Sequence, residues 1–309
     1  MDTEDRQGPS VCRVLCIQLT MQVNLVQVYV VTGSTKGIGF GLARELLLRG
    51  QQVVVNGRSQ AKVDEAVALL KEKHPASEVH GLAGNVAEKE DAQRLWDFAV
   101  KKFGRVDCWI NNAGTSPGLD LLDMQQDNVA EVLATNVQGT VFGCQVAIAG
   151  MKKQQSGGRV YFMEGLGTDG RQMGPETAMY GASKYCNSYL ATASENVLKS
   201  SGKIQIGRLQ PGMVMTDLLL ARYKKDPAYR TQFKKICNVL AEPETTVTPW
   251  LADGLVAGKL VIRYLTVSGI VGRFLSAPFK SRDLFAEVDR ELAESEASNG
   301  DKRPPSRRE

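Results

Sequence analysis

The stretch Leu25-Val-Gln-Val-Tyr-Val-Val31, followed by Thr32 and Gly33-Ser-Thr-Lys-Gly37-Ile-Gly39, changes its backbone preference twice over 15 residues. Its first part is dense in β-branched and aromatic residues, which favours a strand. Glycines then interrupt the chain, and Ile38, Leu42 and Leu46 recur at a spacing of four, as on the buried face of a helix. Strand, glycine turn and helix in that order make a phosphate site. Glycine allows close backbone approach, and the helix N-terminus offers unpaired N–H groups and the positive end of a dipole. The position between strand and helix gives the motif its weight, since turns use glycine everywhere.

The same alternation continues outward. Gln52 to Asn56, Val79 to Leu82 and Val106 to Ile110 read as strands, with helices at Ala61 to Lys73 and Lys89 to Phe103 between them. Asn128 to Met151 reads as one long helix, Arg159 to Met163 as a strand, Ala178 to Leu198 as a helix and Ile204 to Leu209 as a strand. Repeated strand and helix units imply parallel strands with right-handed crossovers. The expected fold is α/β, a doubly wound parallel sheet of the Rossmann type in a single domain. That domain is placed at residues 26–283, with an N-terminal tail at 1–25 and a charged, solvated tail at 284–309 carrying Pro304-Pro305.

With 309 residues, 43% hydrophobic and 23% charged, the chain can bury one large core. A net charge of +4 with scattered basic residues argues against a nucleic-acid partner. The 6 cysteines form no C-x-x-C pair, and the 2 histidines, His74 and His80, have no ligand cluster beside them, so no metal is expected. Val14 to Val31 is interrupted by glutamines and an asparagine and does not qualify as a membrane span. The start Met-Asp-Thr-Glu-Asp is acidic and shows no transit peptide or secretory signal.

The second strand ends at Asn56-Gly-Arg58-Ser59, without the acid that would bind the ribose 2′-hydroxyl of NAD. Arg58 and Lys36 instead supply cations suited to a 2′-phosphate, so the expected cofactor is NADPH. Further on, Tyr180-Gly-Ala-Ser-Lys184 places a phenol and an ammonium one helical turn apart on one face. A neighbouring ammonium is expected to lower the phenol from its usual pKa of about 10, fitting Tyr180 for proton transfer to or from a carbonyl oxygen. Alone, such a pair is more often a solvated helix face.

The surroundings are Asn111-Asn112-Ala113-Gly114 after the fourth strand, Asn136 in the long helix and Pro211-Gly-Met-Val-Met-Thr216 after the sixth. Together with the glycine turn and the Tyr180–Lys184 pair, over about residues 26 to 270, this pattern resembles the short-chain dehydrogenase/reductase family. The resemblance implies that Gly33, Ser34, Thr35, Lys36, Gly37, Ile38 and Gly39 line the cofactor phosphates, with Arg58 and Ser59 nearby. It places Asn85 and Val86 by the adenine, and Asn112, Ala113 and Gly114 along the cleft. It assigns Tyr180 and Lys184 to catalysis and the nicotinamide ribose, Asn136 to the proton relay, and Pro211, Gly212, Val214 and Thr216 to the carboxamide. It also implies a homo-oligomer or pairing with a related reductase.

One position departs from that family's pattern. Gly165 stands where a serine normally holds the substrate oxygen, and Thr168 is the nearest hydroxyl that could supply the same hydrogen bond. The loop Gly167-Thr-Asp-Gly-Arg171, with Asn238 to Pro243 and Ile262 to Thr266, resembles chlorophyll(ide) b reductases. That likeness implies reduction of a tetrapyrrole 7-formyl group to hydroxymethyl with NADPH, in the chloroplast; without it, the expectation is cytoplasmic. Residues about 218–250, basic and apolar by turns, are expected to cover the substrate. The segment Leu255 to Phe279 reads either as a membrane-surface helix or as the closing part of the core. A reductase of a smaller substrate such as a 3-oxoacyl thioester, and a non-catalytic NADP-binding sensor, remain as alternatives.

Overall fold

The computed structural model describes residues 25–171, 174–200, 202–277 and 282–300. Side chains along its strands alternate between two cores. In β1 (Val28–Val31), Tyr29 and Val31 face one core and Val30 the other; in β2 (Gln52–Gly57), Val53 and Val55 part from Val54 in the same way. Strands buried on both faces read as unbroken apolar runs, which is why Val53-Val-Val55 shows no polar alternation. With β3 (Val79–Ala83), β4 (Cys108–Asn111), β5 (Gly158–Met163), β6 (Ile204–Gln210) and β9 (Val261–Arg263), they form a 7-stranded parallel sheet ordered β3-β2-β1-β4-β5-β6-β9. The order reverses between β1 and β4. A crevice opens there at the strands' carboxyl ends, where doubly wound sheets bind their ligands.

One core lies under α1 (Gly37–Leu48), α2 (Gln60–Lys73) and α9 (Glu244–Val256), through Leu42, Leu46, Leu70, Val247 and Leu251. The other lies under α3 (Lys89–Phe103), α5 (Gly139–Lys153) and α6 (Ala178–Leu198), where Trp96 packs beside Trp109. The helix expected over Asn128 to Met151 is not continuous. It runs as α4 (Gln126–Val132), a π-helical stretch Leu133–Gln138 containing Asn136, and α5. A π-turn inserts a residue into the ladder and re-aims the side chains on it.

The expected substrate-covering segment is two helices, α7 (Asp217–Lys225) and α8 (Pro227–Leu240). Asp226 separates them by capping α8, accepting from the N–H groups of Ala228 and Tyr229, with Pro227 at the first helical position. Behind them, β7 (Met213–Met215) pairs with β8 (Ala241–Pro243). The solvated tail expected from residue 284 is corrected by α11 (Ala286–Gly300). Phe285 is fully buried against Tyr223 and Phe233, and Val288 and Leu292 follow it onto the same cluster. Spacings of three and four place these apolar residues on one helix face, so the charges occupy the other.

Between β9 and that cluster lies α10 (Val267–Ser276), which buries none of its residues. The segment expected as either surface helix or core thus divides, since β9 extends the sheet while α10 lies on the surface. The expectations for residues 1–24 and 301–309 fall outside the described residues.

Candidate active site

Thr32, at the end of β1, ties the glycine turn to the loop after β4. Its Oγ1 accepts from the N–H groups of Asn112 at 3.0 Å and Ala113 at 3.1 Å. Asn112 returns the contact, donating from Nδ2 to Thr32 O at 2.8 Å and Gly33 O at 3.1 Å. These loops approach so closely that a Cβ on Gly33 would lie 2.8 Å from Ala113 Cα, and one on Gly39 would lie 2.5 Å from Asn112 Nδ2. Gly33 and Gly37 also have φ of 62° and 58°, in the left-handed region. At the start of α1, no side chain caps the helix and no acid sits in the first turn. Its amides are therefore free to meet an anion, and these residues fit a dinucleotide pyrophosphate.

The rest of the cleft is assembled around this turn. Asn56, buried at the end of β2, donates to Leu82 O and Gly84 O, both at 3.2 Å. Ser34 donates to Val31 O at 2.6 Å, and a Cβ on Gly57 would lie 2.6 Å from Thr35 Cγ2. Asn85 turns inward, accepting from Ala87 N at 3.2 Å, and Val86 packs against Gly139. Thr216 leans over Gly37, bringing the stretch from Pro211 to the glycine turn; within it Gly212 has φ 76° and Val214 is buried. Lys36 and Arg58 stay exposed. Lys36 Nζ pairs with Asp217 at 2.9 Å and Arg58 Nη1 stands 3.5 Å from Glu131.

On the other wall, α6 carries Tyr180 and Lys184. Lys184 is buried and donates from Nζ to Met163 O, the last residue of β5, at 2.9 Å. Its ammonium lies 5.6 Å from the centroid of the Tyr180 ring. Desolvation lowers Lys184 to about 8, opposed by the negative charge of Glu164. The Tyr180 phenol was expected below its usual range because of Lys184. Desolvation instead raises it to about 12, since the ammonium is directed at a backbone carbonyl and not at the phenol. Gly114 lies between the walls, where a Cβ would be 3.5 Å from Asn136 Oδ1 and 3.8 Å from Lys184 Nζ.

Asn136 has every polar group engaged. Its Oδ1 accepts from Thr115 N at 2.8 Å, and its Nδ2 donates to Thr115 O at 3.0 Å and Ser183 Oγ at 2.9 Å. Its main-chain carbonyl accepts from Thr140 Oγ1 at 2.7 Å and Asn187 Nδ2 at 2.9 Å. The π-turn directs it across the gap between the loop after β4 and α6.

The family model for short chain dehydrogenases matches residues 27–227. The chain belongs to the short-chain dehydrogenase family. This is a family of oxidoreductases acting on carbonyl and hydroxyl groups. Among curated relatives, a chloroplastic chlorophyll(ide) b reductase of Oryza sativa subsp. japonica is 37% identical over 229 residues, 73% of this chain and 65% of that protein. A probable chlorophyll(ide) b reductase of Arabidopsis thaliana, also labelled chloroplastic, is 34% identical over 290 residues, 87% of this chain and 56% of that protein. The chain thus spans less than two thirds of these relatives' own length. A short-chain dehydrogenase/reductase from Burkholderia phymatum, solved in complex with NAD, superposes with TM-score 0.69 at 21% identity over 84% of this chain and 96% of that one. That likeness concerns the fold.

The position where other short-chain dehydrogenases carry serine is filled in an unexpected way. A Cβ on Gly165 would lie 2.6 Å from Tyr180 Oη and 3.5 Å from Lys184 Cε. Glycine therefore leaves room for the phenol itself. Thr168, expected to replace the serine, closes its own loop: Oγ1 accepts from Gly165 N at 2.9 Å and donates its proton to Gly165 O at 2.7 Å. A hydroxyl has one proton, and here the loop holds it. Residues without an assigned role in the sequence also join the site. Ser183 donates to Tyr180 O at 2.6 Å, and Asn187 and Glu164 are buried beside the Tyr180–Lys184 wall. Their spacing on α6, three from Tyr180 and three from Lys184, was the available signal for Ser183 and Asn187.

Proposed function

We propose that this chain is an NADPH-dependent carbonyl reductase whose substrate is the 7-formyl group of chlorophyll(ide) b, reduced to hydroxymethyl. The observation that carries the reading is the half-buried Tyr180 above a buried Lys184, with Gly165 leaving the phenol oxygen unobstructed. The chlorophyll(ide) b reductases similar over most of this chain support the substrate class.

When bound, the cofactor supplies a hydride to the carbonyl carbon. Gly33 to Gly39 would hold its phosphates, Asn112 to Gly114 would line its path, and Pro211 to Thr216 would hold its carboxamide. Tyr180 would donate the phenolic proton to the carbonyl oxygen, the Lys184 ammonium would stabilise the phenolate, and solvent would supply the proton that restores the phenol. Raised to about 12 in the free protein, the phenol is protonated near neutrality but is a weak acid, so donation to the carbonyl depends on positive charge stabilising the phenolate that forms. Arg58, with Lys36 once released from Asp217, would meet the 2′-phosphate. Asn136 would support the relay by orienting α6 through Ser183. Thr168 would shape the loop that receives the substrate oxygen.

A chloroplast location is supported by the labels of the similar reductases. A second copy or a related reductase would pack on the exposed Tyr185, Tyr189 and Val197 of α6. Peripheral membrane contact would use the exposed Val267, Val271, Phe274 and Leu275 of α10. A smaller alcohol as substrate is favoured by one observation: a farnesol dehydrogenase of Aedes aegypti is 32% identical over 195 residues, 79% of its own length.

The test is incubation of the purified protein with NADPH and chlorophyllide b, followed by absorption, with farnesol and NADP as the parallel arm. Formation of the hydroxymethyl product is expected. No product with chlorophyllide b, together with turnover of farnesol, would overturn the substrate assignment.

A further inference from the structure

Two segments continue the walls of the cleft outward. On one side, the loop after β4 leaves Thr115, held by Asn136, and reaches Asp120. On the other, the turn Pro175–Thr177 leads straight into α6, so Glu176 stands one helical turn before Tyr180. Arg222 of α7 reaches both. Its Nη1 lies 2.6 Å from Asp120 Oδ1 and 3.4 Å from Glu176 Oε2. Its Nε and Nη2 each donate to Asp226 Oδ2 at 3.3 Å, while the other oxygen of Asp226 accepts from Ala228 N at 3.0 Å and caps α8. The guanidinium also lies 4.5 Å from the centroid of the Tyr229 ring, whose hydroxyl donates to Glu176 at 2.9 Å.

Charge and shape both make this junction depend on Arg222. Three carboxylates meet one guanidinium, so without it Asp120 and Glu176 would face each other across the cleft as like charges. A planar fork of five N–H donors spans these separated oxygens, whereas an ammonium is a compact point charge. The loop after β4 also abuts α7 itself: Gly118 has φ 64°, and a Cβ there would lie 3.1 Å from Arg222 N. Behind Arg222, the next residue anchors the helix. Tyr223 is buried, its ring centroid lies 4.5 Å from that of Phe285, and its hydroxyl donates to Asp289 of α11. Adjacent helix residues point about 100° apart, so α7 is held by α11 on one face and holds the cleft with another. The ion pairs are partly exposed, which keeps the junction reversible.

We propose that Arg222 is a positioning residue for the substrate: it fastens the α7–α8 cap to both walls of the cleft, at Asp120 and at Glu176, and so sets how firmly a carbonyl or alcohol is enclosed against Tyr180. The inference rests on the reading that α7 and α8 cover the substrate. A cap held in this way binds substrate and transition state alike, so its release raises KM and leaves kcat nearly unchanged. A protein that is merely less well folded loses active molecules, which lowers the apparent kcat without moving KM.

The experiment compares Arg222→Ala and Arg222→Lys with the unmutated protein in two ways. In hydrogen–deuterium exchange of the full chain without substrate, Arg222→Ala is expected to speed exchange in residues 115–123 and 174–180 as well as in α7, by about tenfold, as for the loss of one charge-assisted hydrogen bond. In turnover of chlorophyllide b or farnesol, whichever reacts, KM is expected to rise by about the same factor, with kcat and NADPH affinity within about twofold. Arg222→Lys, which keeps the charge without the fork, is expected to fall between the two. If Arg222→Ala does not fold, Asp120→Asn releases one wall alone and is expected to speed exchange in residues 115–123 and in α7 together. Faster exchange confined to α7, an unchanged KM in folded Arg222→Ala, or no change of exchange in α7 of Asp120→Asn would overturn the proposal. Exchange needs no substrate, so failure to reduce chlorophyllide b would end the substrate assignment and leave that result standing.

Discussion

At the glycine turn, loop meets loop at backbone distance, tied by the short uncharged side chains of Thr32 and Asn112, whereas at the α7–α8 cap, charged side chains make the closure. Gly33 and Ala113 approach so closely that no side chain fits between them. Across the cap, Arg222 bonds Asp120 at 2.6 Å, reaches Glu176 at 3.4 Å and covers the Tyr229 ring at 4.5 Å, while Tyr229 donates to Glu176 at 2.9 Å. Lys234 joins α8 to Asp289 of α11 at 2.7 Å. Backbone contact leaves no freedom in residue size. Side-chain contact of this partly exposed kind contributes little per pair and permits rearrangement. On the proposed reading, the half that would hold the cofactor is built for one shape of ligand, and the half that would cover the substrate for adjustment.

The largest effect that would test this division lies on the wall between the halves. Tyr180→Phe is expected to cost on the order of 10²–10⁴ in turnover, measured with NADPH and chlorophyllide b, while cofactor affinity stays within a few-fold. Equal turnover would remove the phenol from the mechanism. Next, Phe285→Ala empties the centre of the cap cluster and is expected to destabilise it by about 3 kcal/mol. Limited proteolysis should then cut faster near the Asp226-Pro227 junction, with cofactor affinity unchanged. Weakened cofactor binding would show that the two halves are coupled.

Gly39→Ala acts on the other side of the comparison. Its Cβ would lie 2.5 Å from Asn112 Nδ2 and 2.6 Å from Gly33 O, so thermal unfolding is expected to register a loss of about 1–3 kcal/mol. Cofactor affinity should fall with it, and full retention would contradict the close approach of the two loops. The smallest effect concerns the rim. Arg58→Asp is expected to shift the ratio of NADPH to NADH specificity by about tenfold toward NADH, a change of about 1.4 kcal/mol in relative binding. An unchanged ratio would take Arg58 out of 2′-phosphate recognition.

The strands from β1 to β6 and the span of α6 were legible because each depends on local periodicity, whereas the strand order and its reversal point come from the structure. The π-turn at Leu133–Gln138 was not legible, because it is a single local change of backbone hydrogen bonding made of residue types that also form α-helix. The helix after residue 284 was hidden by its charges, although Phe285, Val288 and Leu292 carried the buried spacing. At the site, Tyr180, Lys184 and the glycines stood out as a motif. Thr168 was expected to face the substrate, and only its two bonds to Gly165 show where its hydroxyl is held.

By itself, the sequence determined the features that backbone rules dictate: where glycine must stand, where strands and helices alternate, and that Tyr180 and Lys184 share a helix face. The tertiary structure decided the electrostatics. Whether Lys184 points at a phenol or a carbonyl, how deep Glu164 lies, and which carboxylates share Arg222 depend on strands and helices distant in the chain. Burial and charge act through space, so a linear pattern names the groups without stating what surrounds them.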